Sequence, residues 1–132
     1  SIKIYAPFGE DLYMACVLVV DDDEGIRGIV SRILSRHHVV ETAENGAIAV
    51  CMLAESTFDL VLSDMQMPVM DGEALLLHMQ TQEEQTPVLM MSGHLIDNDR
   101  VCLLADGFLP KPFLMGELVE KVESLLSNRL VA

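Results

Sequence analysis

Three kinds of reactive side chain stand directly behind short apolar runs in this 132-residue chain. Asp21, Asp22 and Asp23 follow Cys16-Val17-Leu18-Val19-Val20, and Asp64 follows Phe58-Asp59-Leu60-Val61-Leu62-Ser63. Ser92 follows Val88-Leu89-Met90-Met91, and Lys111 follows Phe108-Leu109-Pro110. Crowded carboxylates repel, and the repulsion raises their pKa values unless a cation neutralises them. Oxygen donors of this kind suit a hard cation, and Mg²⁺ takes one or two carboxylates together with water and substrate oxygens. A metal-bound carboxylate beside an ammonium and a hydroxyl has the parts of a phosphoryl acceptor. The cation offsets charge developing on the phosphoryl oxygens, and the lysine adds a second positive clamp. Each residue also has a plainer reading: an Asp after a strand forms turns, a Ser there does the same, and acids near a helix N-terminus are stabilising. Asp23 is read as such a helix-start residue rather than a ligand.

These residues converge only if the apolar runs are strands of one sheet. From Cys16 onward, β-rich runs alternate with helical periodicity. The first run is continuously apolar, as in a strand covered on both faces. Ile26, Ile29, Val30, Ile33 and Leu34 then recur at helical spacing. A second strand begins at Val39-Val40, and Asn45 caps a helix whose apolar face includes Ala47, Val50, Cys51 and Ala54. Strands follow over 58–63, 88–91 and 108–109, with helices over 72–80, 99–105 and 116–128. Five strands alternating with five helices imply a parallel sheet with right-handed crossovers and helices on both faces. Ligands of such sheets bind outside the carboxyl ends of the strands, where the reactive residues stand. The second strand, an edge, supplies none of them.

The formal net charge of −13 argues against a nucleic-acid footprint, which needs clustered Lys and Arg. No apolar run approaches the roughly 20 residues of a membrane span, and the first residues lack a signal-peptide layout, so the domain is expected to be cytoplasmic and to make no membrane contact itself. Cys16, Cys51 and Cys102 lie in apolar segments without a C-x-x-C pair and are expected to be buried structural thiols in a reducing compartment. His37, His38, His78 and His94 are scattered without ligand spacing and are read as surface or packing residues.

From about residue 16 to 128 the chain resembles the receiver domain of two-component response regulators. Val19-Val20-Asp21-Asp22-Asp23 is similar to that family's first strand and acidic pair. Asp64-Met65-Gln66-Met67-Pro68-Val69-Met70-Asp71-Gly72 matches the phosphoacceptor loop D-x-x-M-P-x-M-D-G at every fixed position. Met90-Met91-Ser92-Gly93 resembles the hydroxyl-bearing end of the fourth strand, and Lys111-Pro112-Phe113 is the family's K-P-F, three residues after the aromatic Phe108. The resemblance implies a flavodoxin-like three-layer α/β sandwich with strand order 2-1-3-4-5. It implies that Asp64 is the phosphoacceptor and that Mg²⁺, or Mn²⁺ in its place, is held by Asp22, Asp64, the Gln66 backbone carbonyl and, through a water, Asp21. The Gln66 side chain is then free to tune hydrolysis of the phosphate. Ser92 would bond a phosphoryl oxygen, and Lys111, aimed by a cis Lys111–Pro112 bond, would pair with the phosphate. Phe108 would swing inward when the hydroxyl moves, as the second half of a switch; simple core packing is its plainer reading. The phosphoryl donor would be a histidine kinase phosphohistidine and a further partner a histidine phosphotransfer domain; a homodimer through the last two helices is allowed by the sequence without any residue that argues for it. Relatives place a Ser, Thr or Asp after K-P-F to cap the last helix, where this chain has Leu114-Met115-Gly116, which leaves that helix start open.

Residues 1–14 stand outside the alternation as a tail or linker, with the receiver-like domain over 15–130. Ser1-Ile2-Lys3-Ile4-Tyr5-Ala6-Pro7 resembles the closing strand of a histidine-kinase ATP-binding domain, and the chain starts without Met, which suggests a receiver cut from a hybrid sensor kinase. The alternative is a stand-alone regulator acting by protein contact. A haloacid-dehalogenase-like phosphatase also uses an Asp nucleophile and Mg²⁺, but wants D-x-D after its first strand and a much larger chain. A flavin module is disfavoured by the absence of Trp, the two Tyr and the acidic pocket.

Overall fold

The structure, a computed structural model, describes residues 2–5, 11–93 and 99–131. Its elements run β1 (Ile2–Tyr5), β2 (Asp11–Met14), β3 (Cys16–Val20), α1 (Glu24–Leu34), β4 (Val39–Ala43), α2 (Gly46–Glu55), β5 (Leu60–Asp64), α3 (Gly72–Thr81), β6 (Val88–Ser92), α4 (Asp99–Leu104), β7 (Gly107–Pro110) and α5 (Met115–Val131). Strands β3 to β7 form one parallel sheet in the order β4-β3-β5-β6-β7, which is 2-1-3-4-5 when counted from β3. Because side chains alternate along a strand, each buried strand feeds two cores. Val17, Val19, Leu60, Leu62, Leu89 and Met91 face one core, closed by Val30 and Leu34 of α1 and Leu118, Val122 and Leu126 of α5. Leu18, Val20, Val61, Val88 and Met90 face the other, closed by Ala49 of α2, Leu75, Leu76 and Met79 of α3 and Val101 of α4. Each such Val, Leu or Met side chain contributes about 1.5–3 kcal/mol by leaving water, which makes this double alternation the main determinant of the fold.

Helix starts follow local chemistry. Asp23, Asn45 and Asp71 cap α1, α2 and α3, each side-chain oxygen accepting a backbone N–H three residues on. The open question at α5 is answered by Glu117, whose carboxylate accepts the Leu114 N–H at 3.2 Å, the reverse half of a capping box.

Two expectations fail. Cys51 and Cys102 are exposed and Cys16 is only half-buried, so the thiols are not core residues as a group. The assigned face of α2 is wrong in part: Val50 packs against the core, but the buried residues are Gly46 and Ala49, whereas Cys51 and Ala54 are exposed. The segment Gly46–Glu55 is apolar almost all round, so periodicity cannot fix its rotation. Packing fixes it instead: Gly46 donates its N–H to the Met70 carbonyl at 2.9 Å, and a Cβ at residue 46 would stand 2.7 Å from the Met70 side chain. On α1, Ile29 is likewise 58% exposed.

Strands β1 and β2 pair antiparallel, Ile2 opposite Met14 and Tyr5 opposite Asp11, as a separate two-stranded sheet. Pro7, Gly9 and His94 lie outside the described residues. Buried His38 accepts the Ala15 N–H at 3.2 Å on Nδ1 and meets Glu123 at 2.6 Å through Nε2, a packing role. His37 is exposed and His78 half-buried. No helix among the described residues is long and apolar enough to cross a membrane.

Candidate functional site

At the carboxyl edge of the sheet, β3 stops at Val20 and the chain turns through Asp21. Every polar atom of this fully buried residue is engaged. Its N–H donates to the Ala43 carbonyl at 3.1 Å and its carbonyl accepts from the Arg27 guanidinium at 2.9 Å. Oδ1 accepts the Asp23 N–H at 2.9 Å, and Oδ2 accepts from Lys111 Nζ at 3.0 Å. Asp22, next in the chain, is exposed. Asp64 closes β5, with Oδ1 accepting the Met65 N–H at 2.9 Å and lying 3.3 Å from Lys111 Nζ.

One oxygen from each of Asp21, Asp22 and Asp64 lies within 4.8 Å of the others. Ligand oxygens around Mg²⁺ sit about 2.0–2.1 Å from the ion, so opposite ligands are ~4.2 Å apart, close to the span of this set. The donors are all hard oxygens, and their charge is only partly balanced by the Lys111 ammonium that bridges Asp21 and Asp64; the residues fit a small divalent cation. Burial, followed by the charge of Asp21, pushes the Asp64 carboxyl above its ordinary range, against the opposing pull of Lys111 and the Met65 N–H. Burial alone would lower Lys111, but its hydrogen bond to Asp21 and the charges of Asp21 and Asp64 outweigh that and raise it.

Register explains the convergence of the remaining residues. Ser92, the buried last residue of β6, stands opposite Pro110 and accepts the Lys111 N–H on its carbonyl at 2.7 Å. The Lys111–Pro112 bond is cis, as expected. Asp64 is opposite Met91, one step below Ser92. Gln66 is exposed on the loop after β5. Half-buried Phe108, opposite Met90, packs on the core beneath α2, α3 and α4. Asp23 is spent on capping α1, as the sequence predicted.

Three supporting residues escaped sequence reasoning. A Cβ on Gly72 would lie 2.4 Å from the Asp64 carbonyl oxygen, so only glycine lets α3 start against the end of β5; the D-G pair in the loop motif was its signal. Arg27 stands six residues beyond the Asp21 carbonyl it holds, on an otherwise ordinary helix, and Ser63 sits inside an apolar strand; neither carried a usable signal. Beside Lys111, Ile26, Ile29, Val30, Pro112 and Phe113 line an apolar cavity of about 500 Å³.

A family model described as the response regulator receiver domain matches residues 17–123. The DNA-binding transcriptional regulator NtrC of Escherichia coli (strain K12) is 40% identical over 116 residues, covering 85% of this chain but only 25% of NtrC. The solved chemotaxis response regulator CheY4 of Vibrio cholerae is 34% identical with a TM-score of 0.77, the match covering 86% of this chain and 99% of that one. The response regulator protein TrrA of Thermotoga maritima, solved in complex with Mg²⁺–BeF, is 29% identical with a TM-score of 0.78, covering 85% of this chain and 99% of that one. With the family match reaching every strand of the parallel sheet, this chain belongs to the response regulator receiver domain family.

Proposed function

We propose that this domain is the phosphoacceptor of a two-component relay and that Asp64 carries the phosphoryl group. The observation that bears most weight is the Lys111 ammonium lying 3.0 Å from Asp21 and 3.3 Å from Asp64 within a cluster of three carboxylates. A carboxylate oxygen of Asp64 attacks phosphorus, the phosphorus–nitrogen bond of the donor phosphohistidine breaks, and the imidazole leaves, giving an acyl phosphate. Asp22, Asp64 and the Gln66 backbone carbonyl would hold Mg²⁺, or Mn²⁺, with Asp21 reaching it through water. The cation supplies charge neutralisation for the transferring group, as the Mg²⁺–BeF complex of TrrA suggests by likeness. Lys111 pairs with the phosphoryl oxygens, and the Ser92 hydroxyl donates to one of them. Phosphate thereby favours a different packing of Ser92 and Phe108, which passes the signal along β6 and β7.

The donor is a histidine kinase domain, and the apolar cavity between α1 and the residues after β7 gives a donor helix a place to rest beside Lys111. The next acceptor in a relay would be a histidine phosphotransfer domain. The setting is cytoplasmic, where unpaired cysteines stay reduced. The strand Ile2–Tyr5 supports a parent that is a hybrid sensor kinase; likeness to the regulator NtrC supports a stand-alone regulator instead. The parent gene distinguishes them, by a kinase core encoded before residue 1 or an output domain after residue 132.

Intact-mass measurement after incubation with acetyl phosphate tests the acceptor role. The expected result is one added phosphoryl group in the wild type with Mg²⁺, and none without metal or in Asp64→Asn. Labelling of Asp64→Asn would refute it.

A further inference from the structure

The peptide joining Asp64 to Met65 is held at both ends. Its N–H bonds the Met91 carbonyl of β6 at 2.9 Å and, on the same side, Oδ1 of Asp64 at 2.9 Å. A trans peptide points its carbonyl the opposite way, so the Asp64 carbonyl faces away from β6 and toward β3. There the ladder has already ended, since the last β3–β5 pair is Val20 with Ser63 and the Asp21 N–H is given to Ala43. A buried carbonyl without a donor costs about as much as a lost hydrogen bond. The donor present is the hydroxyl of Ser63, a residue with no solvent exposure, whose Oγ lies 2.9 Å from the Asp64 carbonyl oxygen. From the α3 side a donor side chain has no room, because even a Cβ at residue 72 would stand 2.4 Å from that oxygen.

We propose that Ser63 is a positioning residue for the nucleophile: its hydroxyl locks the 64–65 peptide, which holds Oδ1 of Asp64 and leaves Oδ2 to take the phosphoryl group. The inference rests on the acceptor role of Asp64. A hydroxyl donating to the carbonyl also polarises the amide and strengthens its N–H as a donor to Oδ1. Oδ1 carries both the Met65 N–H and the Lys111 ammonium; no donor among the described residues reaches Oδ2. Without the Ser63 hydroxyl the peptide is free to rock, and the carboxylate rocks with it.

The test compares Ser63→Ala, Ser63→Thr and Ser63→Cys with the wild type, each below its melting temperature. The maximal labelling rate with acetyl phosphate at saturating Mg²⁺ is expected to fall about tenfold in Ser63→Ala, one well-made hydrogen bond in the transition state. The half-saturating donor concentration should stay near the wild-type value, because binding does not depend on the Asp64 peptide. Ser63→Thr, which keeps the hydroxyl, should recover most of the rate, and Ser63→Cys, a weak donor, should fall between. In the metal-free protein, the Met65 amide proton should move upfield in Ser63→Ala and stay in place in Ser63→Thr. An unchanged rate in Ser63→Ala or Ser63→Cys, or equal losses in Ser63→Thr and Ser63→Ala, would overturn the proposal. Should the wild type take no phosphoryl group at all, the acceptor reading of Asp64 fails, whereas the Met65 amide, read without metal or donor, judges Ser63 separately.

Discussion

Asp64 is held in a state that disfavours its own charge. Burial and the neighbouring Asp21 raise its carboxyl above the ordinary value of 3.8, so between that value and the raised one the folded, metal-free protein holds more protons than the unfolded chain. Stability contributed by the protonated form is complete below pH 3.8 and is lost as pH rises through the raised native value. Asp64→Asn should therefore melt higher than the metal-free wild type at neutral pH, with the gap closing as pH falls through the raised native value and gone below 3.8; thermal melts in chelator check this. A second strain lies nearby. Val69 has φ 69° and is 84% exposed, within a γ-turn in which the Met70 N–H donates to the Pro68 carbonyl at 2.8 Å. A β-branched residue gains nothing in that conformation and no packing repays it. Val69→Asn should stabilise by about 1 kcal/mol in urea unfolding.

At the scale of elements, the acceptor loop is clamped between two helix starts. The Gly46 N–H donates to the Met70 carbonyl at 2.9 Å, and the Gly72 N–H donates to the Met65 carbonyl at 3.0 Å. Gly72→Ala forces a methyl group into the Asp64 carbonyl; destabilisation of about 1–3 kcal/mol and slower labelling are expected, checked by denaturation and by intact mass. The strands and most helix positions were legible because their signals are local: continuous apolar runs for β3, β5 and β6, and capping side chains at Asp23 and Asn45. The face of α2 was not legible, because a helix apolar on every side is rotated by its neighbours, here Met70, and those contacts are long-range. Ser63 and Arg27 were hidden for a related reason. Each satisfies a backbone carbonyl where the ladder runs out, a need that exists only once the strands are aligned.

At the scale of the molecule, a parallel sheet gathers residues from β3, β5, β6 and β7 to one edge, and two cores behind it fix their spacing. The pocket could be anticipated from the sequence because the strand order decides which tips are neighbours; a strand within residues 1–7 was anticipated too, but not its antiparallel partner β2. Three carboxylates crowd this pocket against a single ammonium, so the metal should act on the stability of the whole fold. At one hundred times its dissociation constant, Mg²⁺ should stabilise the wild type by about 2.7 kcal/mol, and by clearly less when Asp22 is replaced by Asn. The most direct test of the acceptor claim is chemical trapping. Protein labelled with acetyl phosphate and Mg²⁺ is reduced with borohydride, which converts a phosphorylated aspartate to homoserine, and the peptides are sequenced by mass spectrometry. Homoserine at residue 64 and at no other aspartate is the predicted result; homoserine at Asp21 or Asp22, with residue 64 still aspartate, would contradict the account.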